Sequence, residues 1–392
     1  MVESKRKVRV GVLFGGRSGE HEVSLLSAAS VMQALDRKKF EIVPIGITKE
    51  GRWVAAQDAE RLLAGSYAND SELRAGDPAA TSTAAVLSKG DAVIMPPVPD
   101  SSSMVPFETP QKKSGAIDVD VIFPVLHGTF GEDGTIQGLL ELADIAYVGA
   151  GVLGSAAGMD KVIMKRLFKA ARLPIVKDVT VLRSEWEDTP KKVLASVEGE
   201  LRYPMFVKPA NLGSSVGISK AHDRSELKTA LDEAAQYDRK LVVEQGVGGK
   251  KQKAREIEVS VLGNDHVEAS VPGEIVPAKE FYDYEAKYIS AGSELMIPAK
   301  LSRKLQKDVQ ALAIEAFRAV DCTGLARVDF LMEPKTEKLF VNEINTMPGF
   351  TAISMYPKLW AASGLGYSDL LTRLVELAQQ RHADKKRNRY AR

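Results

Sequence analysis

The sequence predicts three successive α/β and α+β regions that hold ligands between them, and three observations support this fold class. The 392 residues exceed the roughly 250 to 300 at which a single core stops growing. The first fifty residues alternate strand, helix and strand, the unit that builds a parallel sheet. Further on, two strands that mix charged and apolar residues, around 327–329 and 343–345, flank a turn, as in an antiparallel hairpin.

Val8 to Phe14 is an apolar run suited to a buried strand. Gly15 to Glu20 follows as a tight loop, Glu22 to Leu35 as a helix and Phe40 to Ile47 as a second strand. From about Ala55 to Ala116 the chain is rich in Ala, Ser, Asp and Pro and reads as a surface insertion with one short helix. Strand pattern returns at Val119 to Pro124 and Ile145 to Val148, and Gly149-Ala150-Gly151 closes a first domain, 1–150. A helix at Met159 to Arg172, strands at Asp178 to Leu182, Met205 to Lys208 and Gly217 to Ser219, and a helix at Ser225 to Ala235 make a small central α+β region, 151–238. The larger third region, 239–382, holds strands at Leu241 to Glu244 and Glu256 to Leu262, a helix at Ser302 to Val320, the hairpin and a helix at Tyr367 to Arg381. Residues 383–392 read as a solvated basic tail.

Composition narrows the function. Hydrophobic residues are 44% and charged residues 27%, ordinary for a folded protein, and 53 basic side chains meet 52 acidic ones. That balance argues against a nucleic-acid partner. Cys322 stands alone, so an intrachain disulfide and a cysteine metal cluster are both excluded. It reads as a buried structural thiol, in keeping with a reducing compartment. Val8 to Phe14 is too short for a signal segment or a membrane span, and a cytoplasmic location is expected.

Arg327-Val328-Asp329 and Glu343-Ile344-Asn345 carry the strongest chemistry. Residues two apart on a strand share a face. If odd positions pair with odd, the hairpin brings Arg327, Asp329, Glu343 and Asn345 together while Val328, Phe330, Phe340, Val341 and Ile344 make the other face apolar. Asp, Glu and Asn offer hard oxygen donors, suited to magnesium bridging to phosphates and unsuited to zinc. Phe206-Val207-Lys208 leads into the small-residue loop Ala210 to Val216, containing Ser214 and Ser215, whose backbone N–H groups can cradle phosphate; the same residues also make an ordinary turn. No Walker sequence occurs. His127 to Gly134 follows a strand and precedes a helix, with three glycines permitting close approach to a ligand, although Asp133 also suits a plain helix cap. The Gly15 to Glu22 loop lacks dinucleotide spacing, which disfavours a dehydrogenase. Tyr282 to Tyr288 has the composition of a lid loop.

In shared order and spacing, these segments together with Met159-Asp160-Lys161 and Glu343 to Gly349 resemble the ATP-grasp superfamily and within it the D-alanine–D-alanine ligases. The likeness covers nearly the whole chain. It implies an ATP-grasp fold: an N-terminal parallel-sheet domain for substrate, a small central α+β domain and a larger C-terminal α+β domain with the metal site. It further implies ligation of two D-alanines through an acyl phosphate, releasing ADP and phosphate, for peptidoglycan precursors. By the resemblance, Lys161, Lys208 and Ser215 bind ATP phosphates, Glu244, Gln245, Val247 and Glu256 face the adenine and ribose, and Lys287 reaches the γ-phosphate. Asp329, Glu343 and Asn345 hold two magnesium ions, with manganese as an alternative. Glu22 takes the ammonium of the first D-alanine with Ser214 and Tyr288 linked to it, and His127 lies nearby. Arg327 and the Gly349 N–H face the oxyanion, while Ser354 and Met355 accept the second D-alanine. A homodimer is also implied. Gln245 stands where many relatives carry Lys, and Gly246 to Arg255 looks long, so the adenine contacts are the least transferable part. The rival readings are an ATP-grasp ligase with another acceptor, such as D-lactate, and a nucleotide-binding regulator without activity.

Overall fold

The computed structural model describes residues 6–55, 78–99, 103–107, 116–213, 216–248, 253–276, 294–351 and 353–390. The chain forms two compact units. One comprises Met1–Val152, Gly263–Asp265 and Met347–Arg392, and the other Leu153–Leu262 and His266–Thr346.

The first unit is built on an eight-stranded mixed sheet. β1 (Val8–Gly15) lies between β2 (Phe40–Ile47) and β7 (Val121–Pro124), parallel to both, and β7 is parallel to β8 (Ala146–Tyr147). Beyond Arg9 on β1 and Glu41 on β2 the central strands are apolar and buried because both faces are covered, which is why β1 reads as a nearly continuous run instead of an alternation. In parallel sheets, ligands gather in the crevice beyond the carboxyl ends of the strands. Here those ends are Gly15 on β1 and Pro124 on its neighbour β7, so the loops starting at Gly16 and Val125 are brought side by side.

The stretch from Ala55 to Ala116 is more than a surface insertion. Its described residues extend the sheet antiparallel from β2 through β3 (Trp53–Ala55), β4 (Asp91–Ile94), β5 (Ser103–Pro106) and β6 (Ile117–Asp118). A helix at Pro78–Lys89 buries Ala85 and Val86, and a Cβ on Gly46 would sit 2.7 Å from Leu87. These strands are only two to four residues long, a weak signal in a Pro- and Ala-rich sequence.

The second unit holds two sheets. The four-stranded antiparallel sheet runs β11 (Ser219–Ala221), β10 (Met205–Pro209), β12 (Lys240–Gln245), β9 (Asp178–Leu182). Helices Pro190–Glu200 and Arg224–Ala234 share a core with it that includes Leu194, Val197, Leu227 and Leu231. The second sheet runs β16 (Glu294–Met296), β15 (Gly273–Val276), β13 (Arg255–Gly263), β17 (Gly324–Met332), β18 (Leu339–Asn345), with β14 (Glu268–Ala269) beside β13. Helix Arg303–Ala319 starts at Ser302, whose hydroxyl accepts from the Leu305 N–H. Cys322 is buried, and its thiol lies 3.5 Å from the Leu325 carbonyl.

The expected helix from Met159 to Arg172 corresponds to Lys161–Ala170, and a separate helix, Val152–Met159, precedes it where none was expected. The Asp160 carboxylate accepts from the Val162 and Ile163 N–H groups at 3.0 and 3.1 Å, an N-cap that begins a new helix. The last helix, Tyr367–Lys385, runs four residues past Arg381. Lys385 pairs with Glu141 and Lys386 with Asp144, so part of the basic run is anchored. No helix among the described residues is long and apolar enough to cross a membrane.

Candidate active site

The hairpin register supplies the condition on which the cluster depends. Arg327 pairs with Asn345 and Asp329 with Glu343, odd with odd. Beyond Asp329 the register slips, Phe330 pairing with Val341, so Asn342 is the extra residue of a β-bulge. The bulge places two polar residues, Asn342 and Glu343, in succession and restores the apolar face at Val341 and Leu339. Phe340 is therefore not part of the buried face as expected; it is half-buried, with the Lys338 ammonium 5.0 Å from its ring centroid.

Asp329 accepts two parallel bonds from Arg327, Nε to Oδ1 and an Nη to Oδ2, both at 2.7 Å, and a third from Asn345 Nδ2 at 2.9 Å. Glu258, on the neighbouring strand β13, lies 3.0 Å from Arg327 Nε. Glu256 is two residues earlier and shares that face. Glu258 was not anticipated, although the Glu-x-Glu spacing within an apolar strand is a readable signal. Among the described residues no three or more His, Cys, Asp or Glu side chains form a ready-made metal cage. Two carboxylates and an amide nevertheless fit magnesium, which keeps waters and takes substrate phosphate oxygens instead of a full set of protein ligands.

Lys208, at the end of β10, is paired with Glu244 at 2.8 Å, and its ammonium is 3.4 Å from Asn342 Oδ1. Burial would lower its pKa, but Glu244, Glu343 and Glu256 outweigh this and raise it, so the ammonium stays charged. Glu244 also meets Lys165 at 2.9 Å. Burial pushes the Glu244 carboxyl up, yet Lys165 and Lys208 win and hold it at about 2. Lys161 opens its helix with a backbone bond to Ala210, and its ammonium donates to the Leu212 carbonyl at 2.6 Å, tying the helix start to the small-residue loop. Gln245 is one residue past Glu244 on β12 and so faces the other way; its side-chain oxygen accepts from the Arg202 N–H at 3.0 Å. Its backbone N–H donates to the Lys177 carbonyl at 3.0 Å. Val247 is half-buried just beyond the strand. Ser214, Ser215, Lys287 and Tyr288 lie outside the described residues.

The first unit gathers a second group. After β1, Gly15 adopts a φ of 90°, and a Cβ there would meet the Ile47 carbonyl at 2.2 Å. The turn delivers Glu22 to the first turn of helix His21–Ala34. Glu22 is exposed, and the hydrogen bond from Lys49 keeps its pKa low, so it is a ready carboxylate. After β7, the buried His127 ring lies 3.0 Å from the Met347 carbonyl through Nδ1 and 3.1 Å from Ser27 Oγ through Nε2. Ser27 also accepts from the Phe350 N–H at 3.3 Å. Glu132 accepts from the Gly128 N–H at 2.9 Å and, through its other oxygen, from the Met347 N–H at 3.4 Å. The segment carrying Gly349 is thus tied to the His127 loop. Asp133 accepts from the Phe130 N–H at 2.9 Å and the Thr135 N–H at 3.0 Å, while the cap position itself is Gly134. A Cβ on Gly349 would be 2.9 Å from Ser354 Oγ, which is itself 2.7 Å from Thr351 Oγ1. Met355 follows Ser354 with its side chain buried.

A carbonyl only accepts, so the neutral His127 ring carries its proton on Nδ1 and accepts from Ser27 at Nε2. Burial lowers its pKa below the ordinary 6.5, against the opposing pull of Glu20 and the Met347 carbonyl. The folded ring is expected to stay neutral at pH 7 as the Nδ1–H form. The unfolded chain takes up this proton first, so stability falls as pH drops below 6.5. Ring nitrogen NMR shifts across that range check both points, and a ring protonating at or above 6.5 would contradict them.

Two family models match the chain: the D-ala D-ala ligase N-terminus over residues 9–150 and the D-ala D-ala ligase C-terminus over 167–376. The chain belongs to the D-alanine–D-alanine ligase family. It is accordingly an enzyme, a ligase. A protein of Natranaerobius thermophilus named D-alanine–D-alanine ligase is 50% identical over 98% of each chain, and one of Heliobacterium modesticaldum is 51% identical over 97% of each. The solved D-alanine-D-alanine ligase of Coxiella burnetii superposes with a TM-score of 0.79 at 36% identity, covering 97% of this chain and 96% of that one. VanG D-Ala:D-Ser ligase of Enterococcus faecalis gives the same TM-score at 33% identity, covering 95% of this chain and 100% of that one. These neighbours bear out the expected ATP-grasp fold class, with its parallel-containing sheet and several α/β and α+β regions.

Proposed function

We propose that this enzyme joins two D-alanine molecules into D-alanyl-D-alanine at the expense of ATP, which leaves as ADP and phosphate, and that the dipeptide serves peptidoglycan synthesis in the cytoplasm. The observation that carries the reading is the cross-strand cluster of Arg327 and Asp329 opposite Asn345 and Glu343, in a chain that matches the family over nearly its whole length.

A carboxylate is a poor electrophile, so the first step transfers the γ-phosphoryl group to the first D-alanine, giving an acyl phosphate. In this reading Glu22 holds that substrate's ammonium, with Ser214 and Tyr288 linked to it and His127 nearby. Lys161, Lys208, Ser215 and Lys287 bind phosphates. Glu244, Gln245, Val247 and Glu256 line the adenosine. Asp329, Glu343 and Asn345 would hold magnesium or manganese, which when bound neutralises phosphate charge. The amine of the second D-alanine, held by Ser354 and the Met355 backbone, then attacks the acyl carbon. Arg327 and the Gly349 N–H face the developing oxyanion, where pre-aimed donors act most strongly. Phosphate departs as the carbonyl re-forms. Three functional regions, 1–150, 151–238 and 239–382, suit this division of labour, although strand Lys240–Gln245 belongs to the four-stranded sheet, so the two sheets of the second unit divide between Gln245 and Arg255, and 347–382 groups with the N-terminal unit. A homodimer completes the proposal, with no nucleic-acid or membrane partner.

ADP formation is expected only when D-alanine is present, because phosphoryl transfer needs the bound carboxylate. The assay measures ADP and dipeptide with D-alanine, L-alanine, D-serine and D-lactate. Turnover with L-alanine but not D-alanine would sink the assignment. The D-serine arm matters because VanG D-Ala:D-Ser ligase shares the fold equally well; D-alanyl-D-serine in excess of D-alanyl-D-alanine would favour that second reading.

A further inference from the structure

Helix Lys161–Ala170 buries two lysines one turn apart, Lys161 and Lys165, where an amphipathic helix normally buries apolar side chains. The Lys161 ammonium has the Leu212 carbonyl. Lys165 is nearly inaccessible and its ion pair is with Glu244, which Lys208 also holds from the other side. One carboxylate therefore sits between two ammonium groups, leaving the trio a net charge of +1 (two positive, one negative).

The two lysines differ in outlook. The Lys165 side chain is 1% exposed and Lys208 11%. Lys208 extends toward Asn342 on the bulge and feels Glu343 and Glu256, the carboxylates of the candidate phosphate and metal face. A buried carboxylate with a single counter-ion would hold it firmly, since separating such a pair strands a charge in low dielectric. With a second ammonium already on Glu244, moving Lys208 onto another anion strands nothing.

We propose that Lys165 is a positioning residue that neutralises Glu244 permanently and so leaves Lys208 free to be given up to a nucleotide phosphate. This rests on the reading of Lys208 as a phosphate-binding lysine. Lys165 itself touches no phosphate. Its removal acts by letting Glu244 capture Lys208.

The test is the ratio of adenosine to ADP dissociation constants, measured by calorimetry on the whole enzyme, since the ratio isolates the contribution of the phosphates from that of the base. Lys165→Met is expected to shrink the ratio about tenfold or more, as Lys208→Met does, because either change costs one charge-assisted phosphate contact. Lys165→Arg should restore it. The double variant Lys165→Met/Glu244→Gln removes the captor together with the counter-ion, returns the trio to +1, and should recover most of the ratio even if adenosine itself binds less tightly. A structural role for Lys165 does not anticipate that recovery. If Lys165→Met keeps the wild-type ratio, or the double variant stays as low as Lys208→Met, the inference is wrong. Should Lys165→Met fail to fold, the double variant decides alone. A wild-type protein that binds ADP no better than adenosine would instead remove the nucleotide-phosphate reading beneath it.

Discussion

Glu343→Gln is expected to reduce ligation by about 100-fold or more, since even outer residues of a metal site typically cost 10- to 100-fold when changed. The residue lies opposite Asp329 on a half-buried strand face, and glutamine keeps its shape and length while removing its negative charge. Packing should survive. The flanking Ile344 and Val341 point to the other face and are untouched. Thermal unfolding near the wild-type temperature together with a raised magnesium requirement is the expected pair of results. Wild-type turnover by the variant at limiting magnesium would rule out Glu343 as a ligand.

Glu244→Ala should produce the largest loss of stability. It leaves Lys165 and Lys208 buried without their shared carboxylate, and breaking a buried ion pair from one side costs about 3–5 kcal/mol. Strands Met205–Pro209 and Lys240–Gln245 pair with each other and carry Lys208 and Glu244, so faster amide exchange should appear there first. Exchange in both strands unchanged from wild type would refute the prediction. The same carboxyl sets a pH dependence. Burial opposes its ionisation, but the two lysines hold it at about 2 against an ordinary value of 4.5. A depressed carboxyl contributes stability that is fully present above 4.5 and is lost as the pH falls through about 2. The four-stranded sheet should therefore keep this contribution in mild acid, and the alanine variant should lack it.

Much of the site was legible because strand chemistry is local. A period of two is enough to place Arg327 with Asp329 and Glu343 with Asn345, as the hairpin register shows. Glycines at Gly15 and Gly128 were readable for the same reason: both take positive φ, and a Cβ on Gly128 would meet Glu20 Oε2 at 2.4 Å. Less was legible in the stretch from Ala55 to Ala116, whose short strands become sheet only by pairing onto β2 and one another.

By itself, then, the sequence determined the strand-helix-strand start, the order of the motifs and the residue types of the hairpin, since each depends on periodicity or chemistry within a few neighbours. Tertiary structure alone decided the rest: the slip at Asn342 that sets Phe340 on the polar side, the extra helix Val152–Met159 ahead of the Asp160 cap, and the placement of Lys165 against a carboxylate 79 residues further along the chain. Register, capping and charge pairing are settled by which partner lies closest in space. A buried lysine in an otherwise ordinary helix shows its purpose only when the anion it neutralises is in view.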